Sequence, residues 1–459
     1  MKDLTNGSER KLIFQFALPM LLGNVFQQLY NIVDSIIVGN FIGKEALAAV
    51  GASFPIIFLM IALIIGIASG STIVIAQFFG ARDYQTVRKM IDTLFIFLFF
   101  ASLLVTFIGI TFTEQILRII QLPEELIPGA KDYLSIYLAG IIVFFGFNGI
   151  SSILRGLGDS KTPMYFLIIS TVMNIGFDLL FVLVFKWGIK GVAIATILSQ
   201  GIAFILAIIY LNSTHKIIRF SLKNLTFDMG LFKKSFRIGL PTGIQHTFVS
   251  LGMMAVLTIV NLFGTNVIAA YSVVLRINSI ASLPAMNFAA ALATFVGQNL
   301  GAGKTHRVTK GLKETILMSS LVSVSVSILV IVFGKFLMVL FTPDPEVIRI
   351  GKEYLIIVGS FYIIFSIMFS INGALRGAGD TLIPMFITLL SLWFIRVPVA
   401  YLLSKSIDET GIWWAFPIGW LAGAVLSYLY YLTGRWKTKV VVGKQKPETG
   451  KPFTATVEN

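Results

Sequence analysis

Asp34 and Asp178 lie about 20 and about 17 residues into long apolar runs, where an ionised side chain costs ~2.5–3.5 kcal/mol at the bilayer centre on insertion scales. Their neighbours are polar. Asn24, Gln27, Asn31 and Asp34 recur at i, i+3, i+7 and i+10, which is one helix face. Asn174 and Asp178 are spaced i, i+4, as are Thr196 and Gln200, and Asn148 adds an amide on another run. Carboxylates, amide oxygens and a hydroxyl suit a hard monovalent cation such as Na⁺ at Asp34, Asp178 and Asn174. Two close carboxyls can equally take up and release a proton. The plainer reading is a polar seam that glues helices, but glue rarely requires two acids.

The second half of the chain offers different chemistry. An internal repeat, described below, places Ala255 or Val256 opposite Asp34 and Val399 opposite Asp178, and none of these side chains carries an oxygen. Instead His246, Arg276 and Arg396 occupy apolar runs. Two arginines at hydrocarbon depth should face a cavity or a partner. They either contact anionic or polar groups of a ligand, or bond backbone carbonyls near Pro284 and Pro398, or snorkel. With them, His246, Gln27 and Asn31 are candidates to line a cavity, although a lone histidine reads first as a packing residue. Pro19 lies on the helix that bears Asp34, and a proline there removes a backbone hydrogen bond and gives a bending point.

Enzyme signatures are missing. His215, His246 and His306 are scattered, no phosphate-binding glycine loop ends in Lys-Ser/Thr, and the chain has no cysteine. No catalytic residue, cofactor or nucleotide fuel is expected.

Twelve apolar runs must position these groups, near 13–40, 46–79, 91–113, 132–153, 161–186, 189–211, 235–264, 266–300, 315–341, 352–374, 381–404 and 411–433. Each is long enough to cross ~30 Å of hydrocarbon. With 56% hydrophobic and 13% charged residues in 459, the expected class is an all-α integral membrane protein. The net charge of +14 reads as topology and not as a nucleic-acid footprint. With both termini on one side, that side holds 25 Lys and Arg and the other 9, and Arg276 and Arg396 inside spans complete the 36. The richer side is expected to be cytoplasmic.

The chain says nearly the same thing twice. Leu154-Arg155-Gly156-x-Gly158-Asp159 followed by Pro163-Met164 returns 221 residues later as Leu375-Arg376-Gly377-x-Gly379-Asp380 followed by Pro384-Met385. The same offset aligns Gln77, Gly80 and Ala81 with Gln298, Gly301 and Ala302, and Pro19 falls one residue out of step with Pro241. In these Arg-Gly-x-Gly-Asp turns the Arg and Asp are expected to tie neighbouring loops together. An even number of spans per half gives a parallel repeat of two six-helix lobes, an architecture typical of secondary transporters. The lobes are expected at 1–212 and 235–434, with a basic cytoplasmic connector at 213–234 and a polar tail at 435–459.

Leu18-Pro19, Tyr30-Asn31-x-x-Asp34 with Val38-Gly39, the Gln77 to Gly80 segment and both Leu-Arg-Gly-x-Gly-Asp repeats resemble the multidrug and toxic compound extrusion (MATE) transporters over essentially all twelve spans. The resemblance implies a V-shaped pair of lobes around a central cavity, alternating access, and export of small amphipathic compounds by antiport with H⁺ or Na⁺. Within the family the chain looks like the DinF-type branch, which implies a first-lobe cation site of Asp34, Asn174 and Asp178, with Asn148 and Thr196 at the remaining polar positions. The NorM-type branch carries acids in the second lobe, near positions held here by Val249 and Phe365. A monomer in a prokaryotic plasma (inner) membrane follows, with small-molecule substrate and lipid as partners. The alternative is a flippase for lipid-linked oligosaccharide or another lipid-linked anion, in which Arg276 and Arg396 would hold a pyrophosphate.

Overall fold

The computed structural model describes residues 2–214 and 225–442. Lys216, Arg219 and Lys223 of the connector, and the tail beyond 442, lie outside the described residues. Within them every regular element is a helix: α1 Glu9–Ile37, α2 Lys44–Gly80, α3 Tyr84–Ile119, α4 Ile127–Ala139, α5 Ile141–Gly156, α6 Lys161–Leu179, α7 Gly188–Thr214, α8 Met229–Val260, α9 Thr265–Ala281, α10 Leu283–Gly301, α11 Thr305–Val332, α12 Gly334–Val339, α13 Pro345–Gly359, α14 Tyr362–Gly377, α15 Leu382–Leu389 and α16 Val397–Leu432. Nine helical runs are long and apolar enough to span a membrane, and two bent pairs bring the number to eleven. The run Leu382–Leu432 is non-helical at Ile407 and Asp408. Dividing it there gives the twelve expected spans.

Several runs that read as straight spans are broken. α4 and α5 meet at 50° around Gly140, and α13 and α14 at 48° just after Gly359. The eighth run divides into α9 and α10 at Ser282, because Pro284 has no N–H to continue the ladder and sits in the first turn of the new helix. The ninth ends at Val332, and its apolar continuation is the separate α12. Pro19, in contrast, stands inside an unbroken α1.

The repeat is visible in the backbone. Gly43 and Gly264 precede corresponding helices with φ of 121° and 86°, and Gly158 and Gly379 make the turns of the Arg-Gly-x-Gly-Asp motifs with φ of 82° and 91°. The Arg and Asp of these motifs bond to helices and not from loop to loop, and Asp380 accepts from the Tyr430 hydroxyl of α16. Asp159 accepts from the N–H groups of Lys161 and Thr162 and so caps α6. Arg155 donates to Ser151 of its own helix, and Arg376 reaches Gln245 across the second half at 2.7 Å.

The halves meet along α2 and α8 and along α2 and α10, while the lower part of α1 packs on α10 and α11. Contact along α2 and α8 depends on glycines at fourth-residue spacing. A Cβ on Gly66 would lie 2.5 Å from the Gly243 nitrogen, and one on Gly70 would lie 2.4 Å from the Ser235 carbonyl oxygen. At the end that carries both termini a reciprocal pair completes the closure. Gln77 donates to the Gly377 carbonyl and accepts from the Val441 N–H, and Gln298 donates to the Gly156 carbonyl and accepts from the Leu4 N–H.

Candidate cation site and cavity

Asp34 is buried on α1, Asn174 and Asp178 on α6, and Thr196 on α7. α1 packs against α6 and α6 against α7, which brings the four residues into one cluster inside the first half. The two carboxyls lie close enough to interact electrostatically. Asp34 Oδ1, both oxygens of Asp178, and both polar atoms of Asn174 are buried without a hydrogen-bond partner. Leaving so many polar atoms unpaired in an apolar interior is costly. A proton between the carboxyls, or a cation accepted by their oxygens and the Asn174 oxygen, would relieve that cost. Among the described residues no group of three His, Cys, Asp or Glu side chains is poised for a tighter metal site.

Both acids are followed by a wide helical turn. The π-helical segment Val38–Ile42 continues α1, and Leu180–Val184 continues α6. Such turns frequently accompany functional sites in helices.

Tyrosines surround the pair, and the sequence reading missed them. Tyr30, one turn before Asp34, places its hydroxyl 3.1 Å from Thr196 Oγ1. Thr196 donates its own proton to the Val192 carbonyl, so the Tyr30 O–H is the donor. Tyr133 and Tyr137 on α4 stack at 6.2 Å, and Tyr133 lies close enough to Tyr30 and both acids to interact electrostatically. A hydroxyl-bearing ring every fourth residue was the available signal.

Next to this cluster a cavity opens among α1, α5, α6 and α7, closed on one side by Asn287 of the second half. Its volume is about 110 Å³, below the ~300–1,000 Å³ typical of drug-sized sites. Pro19, Asn24, Gln27 and Tyr30 line it from α1, Asn148 and Arg155 from α5, and Gln200 from α7, alongside the apolar Met20, Phe144, Phe147 and Met164. Tyr30 thus borders both the cavity and the acid cluster.

The other expected site residues separate. Asn148 belongs to this wall and donates to the Phe144 carbonyl. Asn31 bonds Gln28 and is not part of the wall, because the α1 stripe continues from Gln27 through Tyr30. His246 packs edge-on against Phe58. Arg276 is exposed on α9, on a face shared with Thr265, Ala269, Ser272 and Ser279. Arg396 ends the π-helical segment Leu390–Arg396 and lies over the Phe416 ring at 4.3 Å. None of these three lines the cavity of the first half.

The MatE family model matches residues 19–180 and again 241–402, so that the two matches begin at the paired prolines. A probable multidrug resistance protein of Bacillus subtilis, YpnP, is 34% identical over 95% of this chain and 97% of its own length. A second from the same organism, YoeA, is 33% identical over 93% of this chain and 94% of its own length. In fold, the chain is similar to a multidrug resistance MATE family transporter of the MOP superfamily solved in an outward-facing conformation, with a TM-score of 0.90, 23% identity, and coverage of 96% of this chain and 99% of that one. These findings accord with a V-shaped helical bundle that is closed at the end carrying the termini.

Proposed function

The chain belongs to the MATE family of multi-pass membrane transporters, and from that premise we propose that it exports small amphipathic compounds or drugs by antiport with H⁺ or Na⁺ through alternating access. The observation that carries the reading is the buried cluster of Asp34, Asn174 and Asp178 with its unpartnered oxygens, beside a polar and aromatic cavity that shares Tyr30 with it. Ion and substrate then occupy adjoining sites on the same helices, and occupancy of one can bias the other. The first-half position of the acids fits the DinF-type branch. The protein is taken to work as a monomer in a prokaryotic plasma membrane with both termini cytoplasmic. One monovalent cation entering down 100 mV yields ~2.3 kcal/mol, enough for a roughly 50-fold gradient of a neutral compound. A lipid-linked pyrophosphate is less well served, because Arg276 and Arg396 stand apart from the cavity wall.

The test is dye or drug transport in proteoliposomes under an imposed pH gradient or an imposed Na⁺ gradient. Wild type should respond to one of the two, and Asp34→Asn and Asp178→Asn should each abolish gradient-driven export while the protein still inserts and folds. Full active export in both variants would sink the reading.

A further inference from the structure

The second half contains a buried set of opposite character. Arg396 is half-buried, its Nε is fully enclosed without a hydrogen-bond partner, and its guanidinium lies 4.3 Å from the centre of the Phe416 ring and 5.9 Å from that of Trp420. Gly419 makes room for it, since a Cβ there would approach the Arg396 side chain to 3.1 Å. No carboxylate lies within ion-pair distance of Arg396 among the described residues. Contact with aromatic faces recovers less than the desolvation of a guanidinium costs.

The surrounding polar groups can each donate a hydrogen bond. Tyr354 packs edge-on against Trp413 at 5.0 Å and against Phe416 at 5.7 Å, and Tyr271 stacks on Trp413 at 5.8 Å. The Tyr354 hydroxyl and the Trp413 indole N–H, on residues with no solvent exposure, have no partner, and neither does the Ser391 hydroxyl. An indole N–H and a guanidinium can only donate. Tyr271 and Tyr354 lie within electrostatic reach of Arg396.

The repeat explains the location. Tyr354 is the counterpart of Tyr133 at the offset of 221, and at the same offset Arg396 falls opposite Ile175, the neighbour of Asn174. Where the first half gathers two unpaired carboxyls, this set gathers groups able to donate around a cation.

We propose that the second half holds a compact monovalent anion beside Arg396, with Tyr354 and Trp413 as donors: chloride, or the carboxylate of a transported compound. This inference goes beyond the antiport reading and does not depend on which ion drives export.

The test is a bromide titration of the purified full chain at constant ionic strength in sodium methanesulfonate, read by tryptophan fluorescence, because Trp413 and Trp420 belong to the set. Wild type should show a saturable quench on top of the linear collisional one. Arg396→Gln should weaken the saturable part at least tenfold, Tyr354→Phe several-fold, and Arg276→Gln should leave it in place. Competition by acetate would extend the site to carboxylates; saturable quenching without competition would assign it to the inorganic ion. A purely linear quench of wild type overturns the proposal whatever the variants do, and so does unchanged halide affinity in both Arg396→Gln and Tyr354→Phe.

Discussion

Adding one methyl group to Gly239 should force the closed end of the molecule apart. A Cβ at this position falls 2.4 Å from Ile67 Cα and 2.5 Å from the Gly66 carbonyl oxygen, against ordinary contact beginning near 3.4 Å. Both obstacles are backbone atoms and cannot rotate away, so Gly239→Ala must separate α2 from α8 by about 1 Å. Overpacking of this kind costs ~1–3 kcal/mol. The cost falls only on the state in which these helices touch, so the equilibrium should move ~5–150-fold toward the state opened at the end with the termini. A reporter is available because the chain has no cysteine. Ala76 is fully buried and faces Gly297 of the other half. In an Ala76→Cys background, Gly239→Ala should raise the rate of maleimide labelling at least fivefold. Gly51→Ala, where a Cβ meets nothing within 4 Å, should leave the rate unchanged. An unaltered rate in a folded Gly239→Ala protein would refute the argument that these glycines hold the halves together.

Three further outcomes are expected. Pro19→Ala should slow export at saturating substrate more than it weakens substrate binding, since Pro19 lacks the backbone N–H that would stiffen the helix carrying Asp34; equal turnover in a dye-efflux assay would count against a bending role. Tyr30→Phe removes the donor to Thr196, a bond worth ~0.5–1.5 kcal/mol, and should lower export under a limiting gradient by up to about tenfold, whereas unchanged efflux would show that the hydroxyl does not link cavity and acids. Arg276→Cys should react with a small hydrophilic thiol reagent, because the face it shares with Thr265, Ser272 and Ser279 is exposed and polar; a folded but unreactive protein would place that face against lipid.

The meeting of Asp34 and Asp178 was legible because a deep acid is costly wherever it lies, and matched depth on two spans restricts where it can find company. The twelve spans were legible for the same reason, since length and hydropathy are read directly along the chain. Azimuth was not. Depth alone put Asn148 with the acids, yet the rotation of α5 turns it into the cavity wall. On α1 both Tyr30 and Asn31 follow Gln27 at helical spacing, and packing selected Tyr30. The bends near Gly140 and after Gly359 interrupt continuous apolar runs, whose composition does not change where the axis turns. Tyr133 and Tyr137 were overlooked because a ring in an apolar run reads as packing, and only the fold brings it near a carboxylate. Arg155 was assigned to a turn motif, but its helix extends through it and places it beside the cavity.

The reciprocal glutamines also bear on how the protein should be handled at the bench. Gln298 holds the backbone of Leu4, and Gln77 holds that of Val441. The N-terminal segment at Leu4 and the segment at Val441 are therefore each threaded into a contact that joins the two halves. An affinity tag or fluorescent fusion joined directly at the N-terminus would act on one of these contacts, and one joined at Val441 would act on the other. Preparations tagged at different ends would then sample different proportions of open and closed molecules and give different apparent affinities for the same compound. These two segments are handles on the gate, and a tag carried on a long flexible linker leaves it undisturbed.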